Sequence, residues 1–183
     1  ISVGRRTFLI KRFDRTDTQE RIHFASAMTL LQRSEGDDAS TGTSYLELAE
    51  FLIRQGAEPD RDLEQLWRRI VFFICVSNSD DHLRNHGFLL HPMGWRLAPA
   101  YDMNPVATAD GLRLNISETD NTQSLELARE VARYFRVTPN RAAEIIKEVT
   151  TQVRGWRKIA KALRISAEEI ERMAHAFRVA EAI

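Results

Sequence analysis

Several features of secreted, membrane-spanning or polyanion-binding proteins are missing from this sequence. Its 183 residues include one cysteine, which excludes an internal disulfide framework. Basic and acidic residues number 26 each, so the chain has no general positive field for nucleic acids. No apolar run approaches the roughly 20 residues of a membrane span, and no signal peptide is visible at the start. These absences predict a compact cytoplasmic protein without a membrane partner.

Glycine-rich loops are missing as well. None of the eight glycines lies two residues from another, so the chain has no G-x-G loop whose backbone amides could hold phosphate groups. No lysine lies in a strand-and-helix context that would place its ammonium group on the phosphates of a nucleotide. Any phosphate chemistry on this chain therefore needs anchors from elsewhere.

Helix signals dominate what is present. Side chains that cap helix starts occur at three places, namely Ser44 with Glu47, Thr138 before Pro139, and Ser166 with Glu169. The cap at Thr138 predicts a long helix that runs to Trp156. Apolar residues at helical spacing predict another helix from Asp62 to Ser77, with Cys75 in the core. Two short stretches, 87–90 and 95–97, then predict a β-hairpin.

Three oxygen-bearing side chains flank this hairpin. Asp80 is followed five residues later by Asn85, and Asp102 comes after the second strand. Phosphoryl transfer in protein kinases uses such a set: a carboxylate that accepts the proton of the substrate hydroxyl, an asparagine on magnesium, and a further aspartate on the metal. Mg²⁺ prefers oxygen ligands and keeps water and substrate phosphates in its other positions. The order predicts Asp80 as the base, and Asn85 and Asp102 as the metal ligands.

The same residues resemble a known family. The run NSDDHLRN, at residues 78–85, resembles the N-x-D-x-H-x-K/R-N motif of HipA-like serine/threonine kinases, which are toxins of bacterial toxin–antitoxin pairs. AYDMNP, at residues 100–105, resembles their second motif. FLIKRFDR, at residues 8–15, resembles the family's hinge strand, SYLELAEFL the helix after it, and the tail from Trp156 to Phe177 its closing helices. The resemblance covers nearly the whole chain.

The resemblance implies a role for each motif residue. Asp80 would be the catalytic base, with His82 as a residue of the catalytic loop that braces it. Asn85 and Asp102 would bind ATP through its magnesium ion. Asp81 stands where some relatives carry glycine, a change that removes no required oxygen.

The hinge segment adds two candidates for the nucleotide. Phe13 and Asp14 fall where the family's hinge meets the adenine pocket, so Phe13 could pack on the base and Asp14 could hold the hinge or the ribose. An aromatic residue in a strand is equally expected in the core.

The implied architecture is a mainly α C-terminal kinase lobe over residues 1–183, with a hinge strand and a small hairpin at the active site. Because the chain opens at Ile1 without a methionine, we expect the N-terminal lobe upstream. The family implies ATP and Mg²⁺ as cofactors and a helix-turn-helix antitoxin as partner, with DNA reached only through the antitoxin. It also implies a protein substrate, for which an aminoacyl-tRNA synthetase is one candidate.

Three alternatives stay open. Residues 154–172 resemble a helix-turn-helix and carry five basic residues with no acid between positions 154 and 164, which would suit DNA, although glutamates follow. His82 and His86, four residues apart and close to Asp81, suggest a metal hydrolase, although this stretch does not have the residues of a helix. The lobe could also be a non-catalytic pseudokinase, which the upstream sequence would decide.

Overall fold

The computed structural model describes residues 9–108 and 110–183, as eight α-helices and a small antiparallel sheet. The helices are α1 (Ala27–Leu30), α2 (Tyr45–Gln55), α3 (Pro59–Val76), α4 (Leu125–Val131), α5 (Pro139–Arg154), α6 (Trp156–Ala162), α7 (Ala167–Met173) and α8 (Arg178–Glu181). The strands are β1 (Phe24–Ser26), β2 (Gly87–His91) and β3 (Gly94–Leu97), which lie side by side in this order. The mainly α fold predicted from the sequence is confirmed. No helix in the described ranges is long and apolar enough to cross a membrane.

Helix α3 forms the centre of the core. It packs against four other helices, α2, α4, α5 and α8. Its fully buried side chains are Leu63, Leu66, Trp67, Ile70, Val71, Ile74 and Cys75. Complete burial of one large apolar side chain stabilises a fold by about 1.5–3 kcal/mol. This packing fixes the carboxyl end of α3, from which the polar motif loop emerges.

The helices begin close to the positions predicted from the sequence. Caps are present at the three predicted positions, Ser44, Thr138 and Ser166. Helix α3 begins at Pro59, three residues before the predicted start at Asp62, because proline suits the first turn, where its missing N–H has no partner to lose. Helix α5 ends at Arg154, and Trp156 begins the next helix instead of closing this one.

The sheet contains the predicted hairpin but not the predicted hinge strand. Strands β2 and β3 pair with Phe88 opposite Leu97. Residues 9–15 form no strand apart from a single bridge between Arg15 and Arg21, and Phe8 lies outside the described residues. The other edge of β2 is taken by β1, which pairs with it at Ala25 opposite Phe88. The end of the segment 9–15 pairs instead with the residues just before β1, where the N–H of Ile22 donates to the carbonyl of Asp14 at 3.0 Å.

The single cysteine is a core residue, as predicted. Cys75 is completely buried on α3. Burial raises the pKa of its thiol to about 12, so the thiol stays protonated in the folded protein.

Candidate active site

The loop after α3 carries the first motif. Ser77 ends the helix in a left-handed conformation, with φ of 51°. Beyond it, Asn78 is fully buried, and neither polar atom of its side-chain amide has a hydrogen-bond partner in the described part of the chain. Asp80, two residues later, is exposed. The turn therefore presents the carboxylate of Asp80 to solvent, where an incoming hydroxyl could reach it.

Asn85 is buried, and Asp80 orients its side chain. The Nδ2 atom of Asn85 donates to the backbone carbonyl of Asp80 at 3.0 Å, and the backbone N–H of Asn85 donates to the carbonyl of His82 at 2.8 Å. Because the amide nitrogen is occupied, the amide oxygen is the atom left to bind a cation. The two motif residues are thus joined directly through the loop.

Asp81 lies in the opposite environment to its neighbour Asp80. It is 1% exposed, and its Oδ2 atom accepts hydrogen bonds from the hydroxyl of Tyr45, at 2.6 Å, and from Nε2 of His86, at 2.8 Å. Burial, with the nearby Asp81 carboxylate, raises the pKa of Tyr45 well above its usual value, so the phenol stays protonated and donates. The side chains of Asp81 and His86 therefore hold the loop from inside, which the sequence did not indicate.

His82 is placed differently from this buried pair. Its backbone N–H donates to the carbonyl of Asp80 at 3.0 Å, so it helps to shape the turn through the main chain. Its ring Nε2 lies 3.5 Å from a guanidinium nitrogen of Arg84, and its Nδ1 has no hydrogen-bond partner in the described residues. The side chain of His86 contacts the loop from inside, and both the bracing and the catalytic role predicted for His82 stay predictions.

Asp102 lies in the second motif loop, after β3. It is exposed and has a φ of 55°, which is uncommon for a residue other than glycine. Such backbone conformations occur preferentially at functional sites. The Nδ2 atom of Asn104 donates to one carboxylate oxygen of Asp102 at 2.7 Å. The second oxygen is left for another ligand.

Two hydrogen bonds join the two motif loops. The hydroxyl of Tyr101 donates to the carbonyl of Arg84 at 2.6 Å, and the backbone N–H of Val106 donates to the carbonyl of Ser77 at 3.2 Å. The first bond links the residues that directly precede the two predicted metal ligands. The loops therefore lie against each other, and the convergence of the two predicted ligands on one metal ion stays a prediction.

The charges around Tyr101 agree with this arrangement. Burial raises the pKa of Tyr101 to about 12, Arg69 opposes the rise, and the carboxylates of Asp81 and Asp102 add to it. Arg69 is itself partly buried, and burial lowers its pKa to about 10. One carboxylate from each motif loop is thus within electrostatic range of the same phenol.

Phe13 packs beside the second motif loop. Its ring stacks on Tyr101, with 5.8 Å between centroids and 28° between planes, and lies 6.0 Å from the ring of Phe24. A Cβ atom at Gly87 would lie 2.1 Å from the Phe24 ring, so glycine permits this close approach. The structure brings Phe13 to the site, and its predicted contact with adenine stays a prediction.

Asp14 is held by two flanking arginines. Its carboxylate accepts hydrogen bonds from Nε and Nη2 of Arg12, at 2.7 and 2.5 Å, and from Arg15 at 3.0 Å. The hydrogen bond from Arg12 is the main cause that lowers the pKa of Asp14 to about 2. Both oxygens therefore have partners within the segment, and the predicted role of Asp14 at the hinge or the ribose stays a prediction.

The metal-hydrolase alternative gains no support. No group of three His, Cys, Asp or Glu side chains in the described ranges is arranged to hold a metal ion. His82 and His86 lie on either side of the 3-10 turn Leu83–Asn85 and do not share a helix face. The ring of His86 is fully buried and bonded to Asp81.

The region resembling a helix-turn-helix does contain two helices. Helices α6 and α7 are joined by a short turn in which Arg164 takes the left-handed conformation, with φ of 58°. Arg157 lies within 4 Å of the carboxylates of Glu171 and Glu181, which partly neutralise the basic stretch. The first turn of α7 also carries two glutamates, which would repel phosphate groups. These contacts favour a solvated basic face over a DNA-reading surface.

Two bacterial proteins whose names include the words "Putative kinase" are similar in sequence to this chain. A Haemophilus influenzae protein named "Putative kinase" is 31% identical over 109 residues, which are 55% of this chain and 31% of that protein. A Sinorhizobium fredii protein named "Putative kinase Y4mE" is 25% identical over 167 residues, which are 82% of this chain and 40% of that protein. The chain thus spans less than half the length of either relative.

A solved structure shares the fold. A chain from the Shewanella oneidensis MR-1 toxin–antitoxin complex of HipA, HipB and operator DNA superimposes with a TM-score of 0.71 at 18% identity. The match covers 94% of this chain and 46% of that one. The family model of the HipA-like C-terminal domain matches residues 1–177. The chain belongs to the family of HipA-like C-terminal domains, as its two acidic motifs predicted.

Proposed function

We propose that this chain is the catalytic lobe of a protein serine/threonine kinase that transfers the γ-phosphate of ATP to a protein hydroxyl. The observation that carries the proposal is the pairing of the two motif loops. Asp80 is exposed, its carbonyl orients Asn85, and the loop of Asp102 is bonded alongside. Relatives that bear the name of kinase support the same conclusion.

Each motif residue has a chemical task in this proposal. Asp80 accepts the proton of the substrate hydroxyl as the phosphate is transferred. The amide oxygen of Asn85 and the carboxylate of Asp102 suit Mg²⁺, because both are oxygen ligands and each is oriented by a hydrogen bond at another atom. The magnesium ion, when bound, neutralises charge on the phosphates. Phe13 and Asp14 are the residues proposed to meet the adenine and ribose.

The proposed biological setting follows from the family. The solved neighbour comes from a complex with an antitoxin and operator DNA. We extend this to a cytoplasmic toxin component of a bacterial toxin–antitoxin pair, with a helix-turn-helix antitoxin as partner and DNA reached through it. The substrate is proposed to be a protein, with an aminoacyl-tRNA synthetase as one candidate.

The test compares two substitutions in the full-length protein, including the upstream lobe expected from the sequence. Asp80→Asn keeps the shape of the side chain but removes the proton acceptor, so it should lower turnover by roughly 10² or more and leave Mg²⁺-ATP affinity nearly unchanged. Asp102→Asn removes a charged metal ligand, so it should weaken both affinity and turnover. Transfer of ³²P and calorimetric titration with Mg²⁺-ATP measure the two quantities.

The matched control is Asp60→Asn, an exposed aspartate in the first turn of α3 that pairs with Arg136. It should leave turnover and affinity unchanged. Equal and mild effects of Asp80→Asn and Asp102→Asn would contradict the assigned roles. Binding of Mg²⁺-ATP by the unmodified protein without any phosphate transfer would favour the pseudokinase alternative.

A further inference from the structure

A second pair of residues repeats the spacing of the proposed catalytic pair. Asp80 and Asn85 lie five residues apart, and the residues that follow each of them, Asp81 and His86, also lie five apart. Asp81 and His86 are almost completely buried and bonded to each other at 2.8 Å. Asp81 and His86, called the inward pair below, therefore each follow directly after one of the two proposed functional residues of this loop.

The hydrogen bond between Asp81 and His86 has one possible direction. A carboxylate oxygen only accepts, so the Nε2 atom of His86 must carry the proton that it shares with Asp81. Nδ1 of the same ring has no hydrogen-bond partner among the described residues. The contact with Asp81 is thus the polar contact that orients the buried ring.

Rigid elements hold this pair from outside the loop. Tyr45, in the first turn of α2, donates to the same Oδ2 atom of Asp81 at 2.6 Å. The ring of His86 packs edge-on against Tyr45 and against Phe73 of α3. The backbone carbonyl of His86 accepts a hydrogen bond from the N–H of Ala27, at the start of α1, at 2.8 Å. Three helices therefore fix the inward pair.

We propose that Tyr45, Asp81 and His86 form a buried clasp that sets the separation of Asp80 and Asn85, so that all three are positioning residues for phosphate transfer. The inference rests on the proposed kinase function. Each member of the inward pair is one peptide unit from a proposed functional residue, so a shift of either one is passed on to its neighbour. Because catalysis by positioning is steeply sensitive to distance, a displacement of about 1 Å can lower the rate by about 10².

The experiment uses the full-length protein and two substitutions at one site. His86→Leu keeps the apolar volume but removes the donor to Asp81, whereas His86→Gln retains an N–H near the position of Nε2. We expect His86→Leu to lower turnover at least about tenfold and to weaken Mg²⁺-ATP binding, and His86→Gln to restore most of both. Tyr45→Phe, which removes only the hydroxyl, should give a smaller loss of the same kind.

A destabilised control variant separates positioning from simple destabilisation. Ile146→Ala leaves a cavity in α5, at a buried site outside the motif loops. It should lower the melting temperature, and turnover and Mg²⁺-ATP affinity are compared below the melting temperatures of both variants. Equal turnover and affinity in His86→Leu and Ile146→Ala would overturn the clasp.

Hydrogen–deuterium exchange supplies a readout that does not depend on catalysis. In His86→Leu, but not in Ile146→Ala, exchange in a peptide spanning residues 78–86 should be faster than in the unmodified protein. If the unmodified protein neither binds Mg²⁺-ATP nor transfers phosphate, the proposed function fails and the clasp is judged by exchange alone. Unchanged exchange in His86→Leu would then reject it.

Discussion

At the scale of single residues, two adjacent aspartates show how the backbone conformation determines the environment of a side chain. Asp80 and Asp81 have the same side chain, yet one is exposed and the other is enclosed by Tyr45 and His86. An exposed carboxylate can exchange protons with a substrate. A buried carboxylate that accepts hydrogen bonds from two buried donors stabilises the local structure instead. The turn after Ser77 makes this distinction.

Asp14 offers a residue-scale prediction that needs no catalytic assay. Arg12→Gln removes the main hydrogen bond to the carboxylate, so the pKa of Asp14 should rise from about 2 toward its ordinary value of 3.8. The pKa is depressed in the folded state, so the contribution of this ion pair is present above pH 3.8 and is lost as the pH falls through about 2. A carboxyl NMR titration measures the shift.

Lys11→Gln is the control for this titration, because Lys11 pairs with Asp17 and not with Asp14. It should leave the pKa of Asp14 unchanged. A pKa that stays near 2 in Arg12→Gln would show that Arg15 alone holds the carboxylate.

The residues of the site differ in how far the sequence could predict them. Asp80, Asn85 and Asp102 stand out because their types and order match a known chemistry within a short stretch. The partner of Asp81 could not be found in this way, because Tyr45 lies 36 residues earlier and only the packing of α2 brings it close. The burial of Asn78 likewise depends on tertiary structure.

At the scale of elements, Asp62 joins the central helix to the hairpin. Its carboxylate is buried and accepts the backbone N–H of Leu97 in β3 at 2.9 Å and Nε of Arg96 at 3.1 Å. Asp62→Ala leaves the N–H of Leu97 buried without an acceptor, so we expect the free energy of unfolding to fall by about 2–3 kcal/mol. Urea denaturation measures the change.

A second aspartate on the same helix provides the comparison. Asp60 forms an exposed ion pair with Arg136, and such pairs contribute under about 1 kcal/mol. Asp60→Ala should therefore have a small effect on unfolding. A loss in Asp62→Ala no larger than that in Asp60→Ala would mean that the contact with β3 contributes little.

Elements were predictable where the signal was local. Capping residues and the hairpin stretches determine their structures within a few positions, and these predictions were confirmed. The hinge strand was wrong over residues 9–15, because a strand depends on a partner that lies far along the chain and is not visible in the local sequence. Residues 24–26 supply the third strand instead, as β1, which the sequence did not indicate.

At the scale of the whole molecule, the proposed kinase is incomplete within this chain. The residues proposed as base and metal ligands are present, but the sequence has no G-x-G loop for phosphates. The chain also spans less than half the length of the relatives it matches. Without phosphate anchors, positioning of the nucleotide fails.

We therefore predict that the 183-residue chain alone folds as a helical domain, binds Mg²⁺-ATP poorly and transfers no phosphate. A longer protein that also contains the proposed N-terminal lobe should do both. Circular dichroism checks the fold, and calorimetry and ³²P transfer check the activity. Transfer by the isolated chain that is abolished by Asp80→Asn would show that the phosphate anchors lie within these residues.

The rate at which a reagent labels the buried thiol of Cys75 reports how often the core of the protein opens. It is the only cysteine in the chain, so an alkylating reagent has one target, and burial both shields the sulfur and suppresses its thiolate form. Because Cys75 lies in the central helix, labelling requires the core around α3 to open. When opening and closing are fast relative to labelling, the labelling rate follows the equilibrium population of the open form. One mass-spectrometric time course would then give the free energy of that opening without denaturant.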